Sequence, residues 1–214
     1  MRTTKPIPGV TRFWFPGLDN NAYLIAGDEP TLIDCGPSAD LGRLASTSRP
    51  NPAALEVHHV AVTHCHTDHT GGLSEVIRAT GATVYAHRAE AGIILDGAER
   101  PRGVASRPPG RIMLALAKRS SRADPAPVHV EVQDGQVLPA AGRLRCIHTP
   151  GHTAGHMSFL WPGAGGVLFV GDAAANMFRR LAIAPINEDT EAARTSFRRL
   201  AELEFEHACF GHGR

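Results

Sequence analysis

The chain lacks most of the marks of a specialised setting. Its charge is nearly balanced, 22 Lys and Arg against 21 Asp and Glu, so no global field favours nucleic acid or a membrane surface. No run approaches the roughly 18 apolar residues of a membrane span. The opening MRTTKPIPGV has no apolar stretch of the kind a secretory leader needs. The four cysteines, Cys35, Cys65, Cys146 and Cys209, are far apart and form no CxxC pair. Three of them sit beside apolar residues in strand-like runs, and a chain with 43% hydrophobic residues can bury a core without cross-links. The expectation is a cytoplasmic protein with reduced, buried thiols. No internal repeat of fixed period recurs.

Twelve histidines are the compositional oddity that remains. A length of 214 residues suits one domain over 1–214. Apolar runs bounded by turn residues predict strands at VTRFWF (10–15), AYLIAG (22–27), TLIDCG (31–36), VHHVAVTH (57–64), ATVYAH (82–87), VHVEV (128–132), LRCIHT (144–149), HMSFLW (156–161) and VLFVGD (167–172). Helices are expected from Ser38, with Leu41 and Leu44 inward, over 71–81 with Gly81 as its cap, in RAEAGIIL, and from Thr190 to Leu203. Strands in two batches, each followed by helices, suggest an α/β (α+β) layering of two facing sheets with helices outside. From 96 to 127 the character changes: this stretch holds seven of the Lys and Arg residues, several prolines and one amphipathic piece, RIMLALAKR. It reads as a basic insertion: a solvated, partly ordered loop with one helix covering the core, or a lid whose arginines meet an anionic substrate, or an apolar contact through Ile112, Met113, Leu114 and Leu116 to a second copy or an acyl chain.

The recurrent pattern is an apolar strand ending in His or Asp and followed by a glycine-rich loop. Residues 64–69 read HCHTDH, and His152, Asp172 and His212 follow in GHTAGH, VGD and FGHG. Imidazole nitrogen and carboxylate oxygen are donors that zinc, iron and manganese accept. Alternation off a strand end projects His64 and His66 the same way, while Asp68 and His69 turn toward a second point. One loop can therefore feed two metals. The same alternation points Cys65 away, into packing. His148 and His156 flank the His152 loop and are candidates to support it.

Together with LIDCG and its Asp34, these blocks in this order resemble the metallo-β-lactamase superfamily over all of the chain except 96–127. The resemblance implies an αββα four-layer sandwich with metals at one edge. It implies that His64, His66 and His152 hold a first ion, that Asp68, His69 and His212 hold a second, and that Asp172 bridges them. Two divalent ions, Zn2+ first and Mn2+ or Fe2+ as alternatives, would hold a bridging hydroxide that attacks an ester, thioester or lactone. Asp68 and Asp172 would also handle protons, and Asp34 would orient a ligand imidazole. The expected partner is a small molecule, anionic or acyl-bearing, with a homodimer as a further possibility.

Departures from family patterns narrow the field. Asp172 stands where the well-known zinc β-lactamases carry Cys, which argues against antibiotic hydrolysis. Glyoxalase II shares the ligand blocks but adds a helical glutathione-binding domain; only two residues follow His212, so that domain is expected to be absent. The acyl-homoserine lactonases use a Tyr soon after the bridging Asp, and DAAANMFRR has none. Mononuclear iron persulfide dioxygenases carry HCHADH, close to HCHTDH, and use the equivalents of His64, His152 and Asp172. Hydrolase and sulfur dioxygenase are therefore the two readings left standing.

Overall fold

A computed structural model describes residues 1–17, 19–37, 40, 56–98, 104–105, 122–177 and 180–213. Two sheets dominate it. The first runs β1 (Arg2–Ile7), β2 (Val10–Phe15), β3 (Asn20–Ile25), β4 (Thr31–Ile33), β5 (His59–Ala61), β6 (Thr83–His87) and β8 (Val130–Val132), in that spatial order. Its first four strands form an antiparallel meander, and β4, β5, β6 and β8 are mutually parallel. The second sheet has the order β16 (His207–Phe210), β12 (Val167–Gly171), β11 (Met157–Trp161), β10 (Leu144–His148) and β9 (Val137–Leu138). Its pairs are antiparallel except β12 with β16.

Alternation along the strands builds three apolar layers. Tyr23, Ile25, Ile33, Ala61 and Tyr85 of the first sheet face Leu144, Cys146, Met157, Phe159, Val167 and Phe169 of the second. The other face of the first sheet, with Ala22, Leu32, Val60 and Val84, packs against Leu73 and Val76 of helix α2 (Leu73–Thr80) and Ile94 of α3 (Arg88–Asp96). The outer face of the second sheet, with Ile147, Leu168 and Val170, packs on Leu200 and Phe197 of α4 (Thr190–Ala201). Helix, sheet, sheet, helix is the αββα sandwich expected of the sequence. Strands buried on both faces read as continuous apolar runs for this reason.

The helix signals held locally. In α2, Leu73 and Val76 are buried and Gly81 closes the helix at φ +71, its N–H on Ile77 O at 2.7 Å. Asp189 caps α4 by accepting from Glu191 N and Ala192 N at 2.9 and 3.0 Å. Several boundaries differ from the sequence expectation. The run 57–64 forms a strand only over His59–Ala61, and residues 67–70, expected as loop, form a short helix α1 (Thr67–Thr70). Strand β1 went unread because RTTKPI is exposed at five of its six positions and carries no apolar period. Two ribbons, β13 (Ala175–Met177) with β14 (Arg180–Ala182) and β7 (Val104–Ala105) with β15 (Ile186–Asn187), are too short for periodicity to register. The helix expected from Ser38 and the piece RIMLALAKR lie outside the described residues. Within the insertion, the backbone of Val104–Ala105 pairs with β15.

Candidate metal centre

Strands β10, β12 and β16 run in the same direction, so the loops after their carboxyl ends meet at one edge. His152 follows β10, Asp172 follows β12 directly, and His212 follows β16. On the first sheet, Asp34 and His64 follow the parallel strands β4 and β5. A backbone bond from Met157 N to Thr63 O, 2.8 Å, joins the two sheets at that edge. All seven residues singled out from the sequence are brought together here.

Three overlapping donor groups result: His64, His66 and His152; His64, His69 and Asp172; and Asp68, His69 and His212, with the donor atoms of each group within 4.8 Å of one another. In the first, His66 Nδ1 lies 3.0 Å from His64 Nε2 and 2.9 Å from His152 Nε2. The three rings stand nearly perpendicular, at 85–90°. Nitrogens bound to one tetrahedral zinc at 2.0–2.1 Å would be about 3.4 Å apart, so a small outward adjustment admits an ion. In the last group His212 Nε2 is 3.2 Å from Asp68 Oδ2. Asp172 stands between the groups, its oxygens 3.5 Å from His69 Nε2, 3.5 Å from His152 Nε2 and 3.3 Å from His212 Nε2.

Hydrogen bonds on the far side of the rings set which nitrogen faces inward. Asp34, at φ +59 after β4, accepts from His69 Nδ1 at 2.8 Å and from the Thr63 N–H and hydroxyl, each at 2.8 Å. The Thr63 hydroxyl spends its proton on Asp34 and so accepts from His64 Nδ1 at 3.0 Å. His152 Nδ1 donates to Ile186 O at 2.7 Å. Each of these bonds leaves an Nε2 lone pair directed at the site. Asp34 therefore orients two imidazoles, one directly and one through Thr63.

The electrostatics divide in the same way. Burial, reinforced by neighbouring histidines, pushes His64 well below its ordinary value, and burial also lowers His152. Both present neutral nitrogens. Burial opposes protonation of His69 and His212 too, but Asp172, with Asp34 and Asp68 at His69 and Asp68 at His212, outweighs it and raises both. Burial pushes the Asp172 carboxyl up, yet His212, His69 and His152 hold it far below the carboxylate range. One end offers lone pairs and the other an anionic field. Asp172 Oδ1 and Asn20 Oδ1 are buried with no hydrogen-bond partner among the described residues, and Asn20 Nδ2 lies 3.3 Å from His69 Nε2. Neutral imidazoles, a clustered carboxylate charge and unpartnered buried oxygens fit divalent cations.

Supporting residues emerge that the spacing only partly signalled. His156 accepts the Asp172 N–H on Nε2 at 2.9 Å while its Nδ1 meets Thr149 Oγ1 at 2.8 Å. Gly171 makes this possible, since at φ +57 a side chain would be strained and its Cβ would fall 2.7 Å from His156 Nε2. His148 faces the other way, donating to Ala154 O at 3.0 Å and stacking on His87 at 4.5 Å. Cys65 is buried in the apolar layer under the helices, as alternation predicts, and all four cysteines are free thiols. Thr63, Asn20 and Glu90 were missed, because nothing in their local sequence distinguishes them from ordinary strand or helix residues.

An αββα sandwich with His and Asp donors gathered at one edge defines a class of metal-dependent hydrolases. The chain belongs to the metallo-β-lactamase superfamily, whose family model matches residues 16–212. It is 34% identical to a hydroxyacylglutathione hydrolase of Anaeromyxobacter dehalogenans, over 90% of this chain and 74% of that one. A protein named probable metallo-hydrolase YflN from Bacillus subtilis is 29% identical over 90% of this chain and 80% of its own. The thioesterase pkgB of Emericella nidulans is 27% identical, and the match spans 45% of its length. A solved metallo-β-lactamase of Cronobacter sakazakii superposes with a TM-score of 0.73 at 23% identity, covering 100% of this chain and 78% of that one; at that identity the likeness shows the fold alone.

Proposed function

We propose that the chain is a hydrolase of ester, thioester or lactone bonds that works with two divalent metal ions, zinc first and manganese or iron(II) as alternatives that the same donors accept. The observation that carries this reading is the position of Asp172 between a three-histidine group and an Asp68–His69–His212 group. In this reading His64, His66 and His152 hold one ion, Asp68, His69 and His212 hold the other, and Asp172 is common to both. When bound, the ions supply Lewis acidity for a carbonyl oxygen and lower the pKa of water toward neutrality.

The chain's own residues do the rest. Thr63 and Asp34 keep His64 and His69 in the tautomer with Nε2 inward, and Ile186 O does so for His152. His156 accepts the Asp172 N–H and so fixes the backbone from which its carboxylate reaches the middle position. Asp68 and Asp172 are the carboxylates within reach to take a proton from an attacking water or return one to a leaving group. Relatives named as a hydroxyacylglutathione hydrolase and a thioesterase support a thioester among the candidate bonds.

The test is elemental analysis of the protein as purified, followed by a screen of thioesters, esters and lactones. About two zinc or manganese ions per chain with turnover of one of these bonds is the expected result. One iron per chain, with oxygen uptake on a persulfide, would replace this reading with the dioxygenase. No metal, and none taken up on addition, would overturn both.

A further inference from the structure

Glu90 lies in the first turn of α3, and a glutamate on a short helix ordinarily faces solvent. The structure instead buries it completely. Its Oε2 accepts the N–H of Cys65 at 3.0 Å, and its Oε1 accepts the N–H of Gly155 at 2.8 Å. Cys65 stands between His64 and His66, and Gly155 lies three residues after His152. One carboxyl group therefore grips the backbone of two loops that are far apart in the chain and that together carry the three-histidine group.

We propose that Glu90 is a positioning residue that holds the His64–His66 loop and the His152 loop in register for the first metal ion. This inference rests on the ligand assignment proposed above. A buried carboxylate is tolerated only where its oxygens are satisfied, and here both meet N–H donors, one from each loop. The chemistry requires an acid. A glutamine has one acceptor oxygen, so its NH2 would face either Cys65 N–H or Gly155 N–H, donor against donor.

The two loops also differ in what they feed. His66 Nδ1 and His152 Nε2, 2.9 Å apart, come from opposite sides of the strut. Asp68 and His69 both ride on the first loop and its short helix, and His212 comes from β16. Moving the His152 loop relative to the His64–His66 loop therefore spoils the first group and leaves the Asp68–His69–His212 group largely as it was. Because metal–ligand distances tolerate only about 0.2 Å of change, small shifts suffice.

The test uses the full chain as Glu90→Gln, with Gly155→Ala as an independent perturbation. At Gly155 an added Cβ would fall 2.5 Å from Glu90 Oε1 and 2.7 Å from its Cγ, displacing the carboxyl from the other side. Zinc affinity at each site is measured by chelator competition, cobalt spectra report the coordination, and thermal melts of the metal-free proteins report folding. Both variants should lose about 10–100-fold in affinity for the first ion, with an altered cobalt spectrum, while the second ion binds within about threefold of wild type. A first-ion affinity unchanged in Glu90→Gln, an equal loss at both sites, or variants that are both unfolded without metal would overturn the inference, the last by making Glu90 a general structural residue. His64→Ala separates this failure from that of the ligand assignment. If it keeps both ions, the assignment is wrong; if it loses one and Glu90→Gln loses none, only the role of Glu90 falls.

Discussion

Replacing Asp34 by alanine removes one carboxylate shared by three buried donors: the Thr63 N–H, the Thr63 hydroxyl and His69 Nδ1–H, each at 2.8 Å. An unsatisfied buried donor costs about 1–3 kcal/mol. The hydroxyl can rotate and water can enter the space left by the side chain, so two donors remain uncompensated, at about 2–6 kcal/mol. Asp34 also sits at φ +59, where alanine costs about 1 kcal/mol more. The sum is comparable to the whole stability of a domain, so Asp34→Ala should unfold at much lower urea in the metal-free state. Asp34→Asn is the sharper perturbation. It keeps the shape, but its NH2 facing His69 Nδ1 would move the imidazole proton to Nε2 and point an N–H into the site. Its metal-free stability should fall less than that of Asp34→Ala, while affinity for the second ion drops about 10–100-fold. Urea unfolding without metal and chelator competition with it separate the two effects. An Asp34→Asn protein that binds both ions as wild type does would refute the idea that this carboxylate sets the tautomer of His69.

Three further outcomes are expected. His64→Ala should abolish hydrolysis and reduce bound metal from two ions to one, since no other described side chain replaces its Nε2 between His66 and Asp172; unchanged metal content would sink the ligand scheme. Burial raises the thiols of Cys146 and Cys209 to about 12 and that of Cys35 well above its ordinary value, so near pH 8 only about one in 10⁴ at pKa 12 is a thiolate. Iodoacetamide should then label none of the four cysteines in the native protein and all four in concentrated guanidinium, and rapid native labelling would contradict the buried-thiol description. Arg199 donates to both oxygens of Asp134, at 3.0 and 2.8 Å, and to His148 O at 3.0 Å. Slight burial raises the Asp134 carboxyl, but the bond from Arg199 and the His148 N–H outweigh it and hold it below its ordinary value. A depressed carboxylate stabilises above its unfolded pKa and loses that contribution as pH falls through the folded one. Arg199→Ala should therefore cost about 0.5–1 kcal/mol at neutral pH, discounted for exposure, and the difference in urea midpoint should narrow as pH falls below the ordinary aspartate range, leaving the part due to the bond to His148 O; a gap that does not narrow in acid would contradict this.

The seven candidate donors that the fold brings together were legible without a structure because ligand chemistry is written in residue types. HCHTDH, His152, Asp172 and His212 could be read as one centre, and the apolar runs as two sheets, from patterns spanning a few residues each. What holds the centre could not be read in this way. That Thr63 relays Asp34 to His64, that His66 turns Nδ1 inward while His64 and His152 turn Nε2, and that Glu90 bonds Cys65 and Gly155 all depend on contacts between segments distant in sequence. The same holds for β1, a polar edge strand defined only by its pairing with β2. The amino-acid order thus determined which groups can bind metal and roughly where the longer apolar strands lie. The packing of the two sheets decided which nitrogen of each imidazole faces the site and which buried carboxylate steadies it, because a hydrogen bond's partner is chosen by proximity in space.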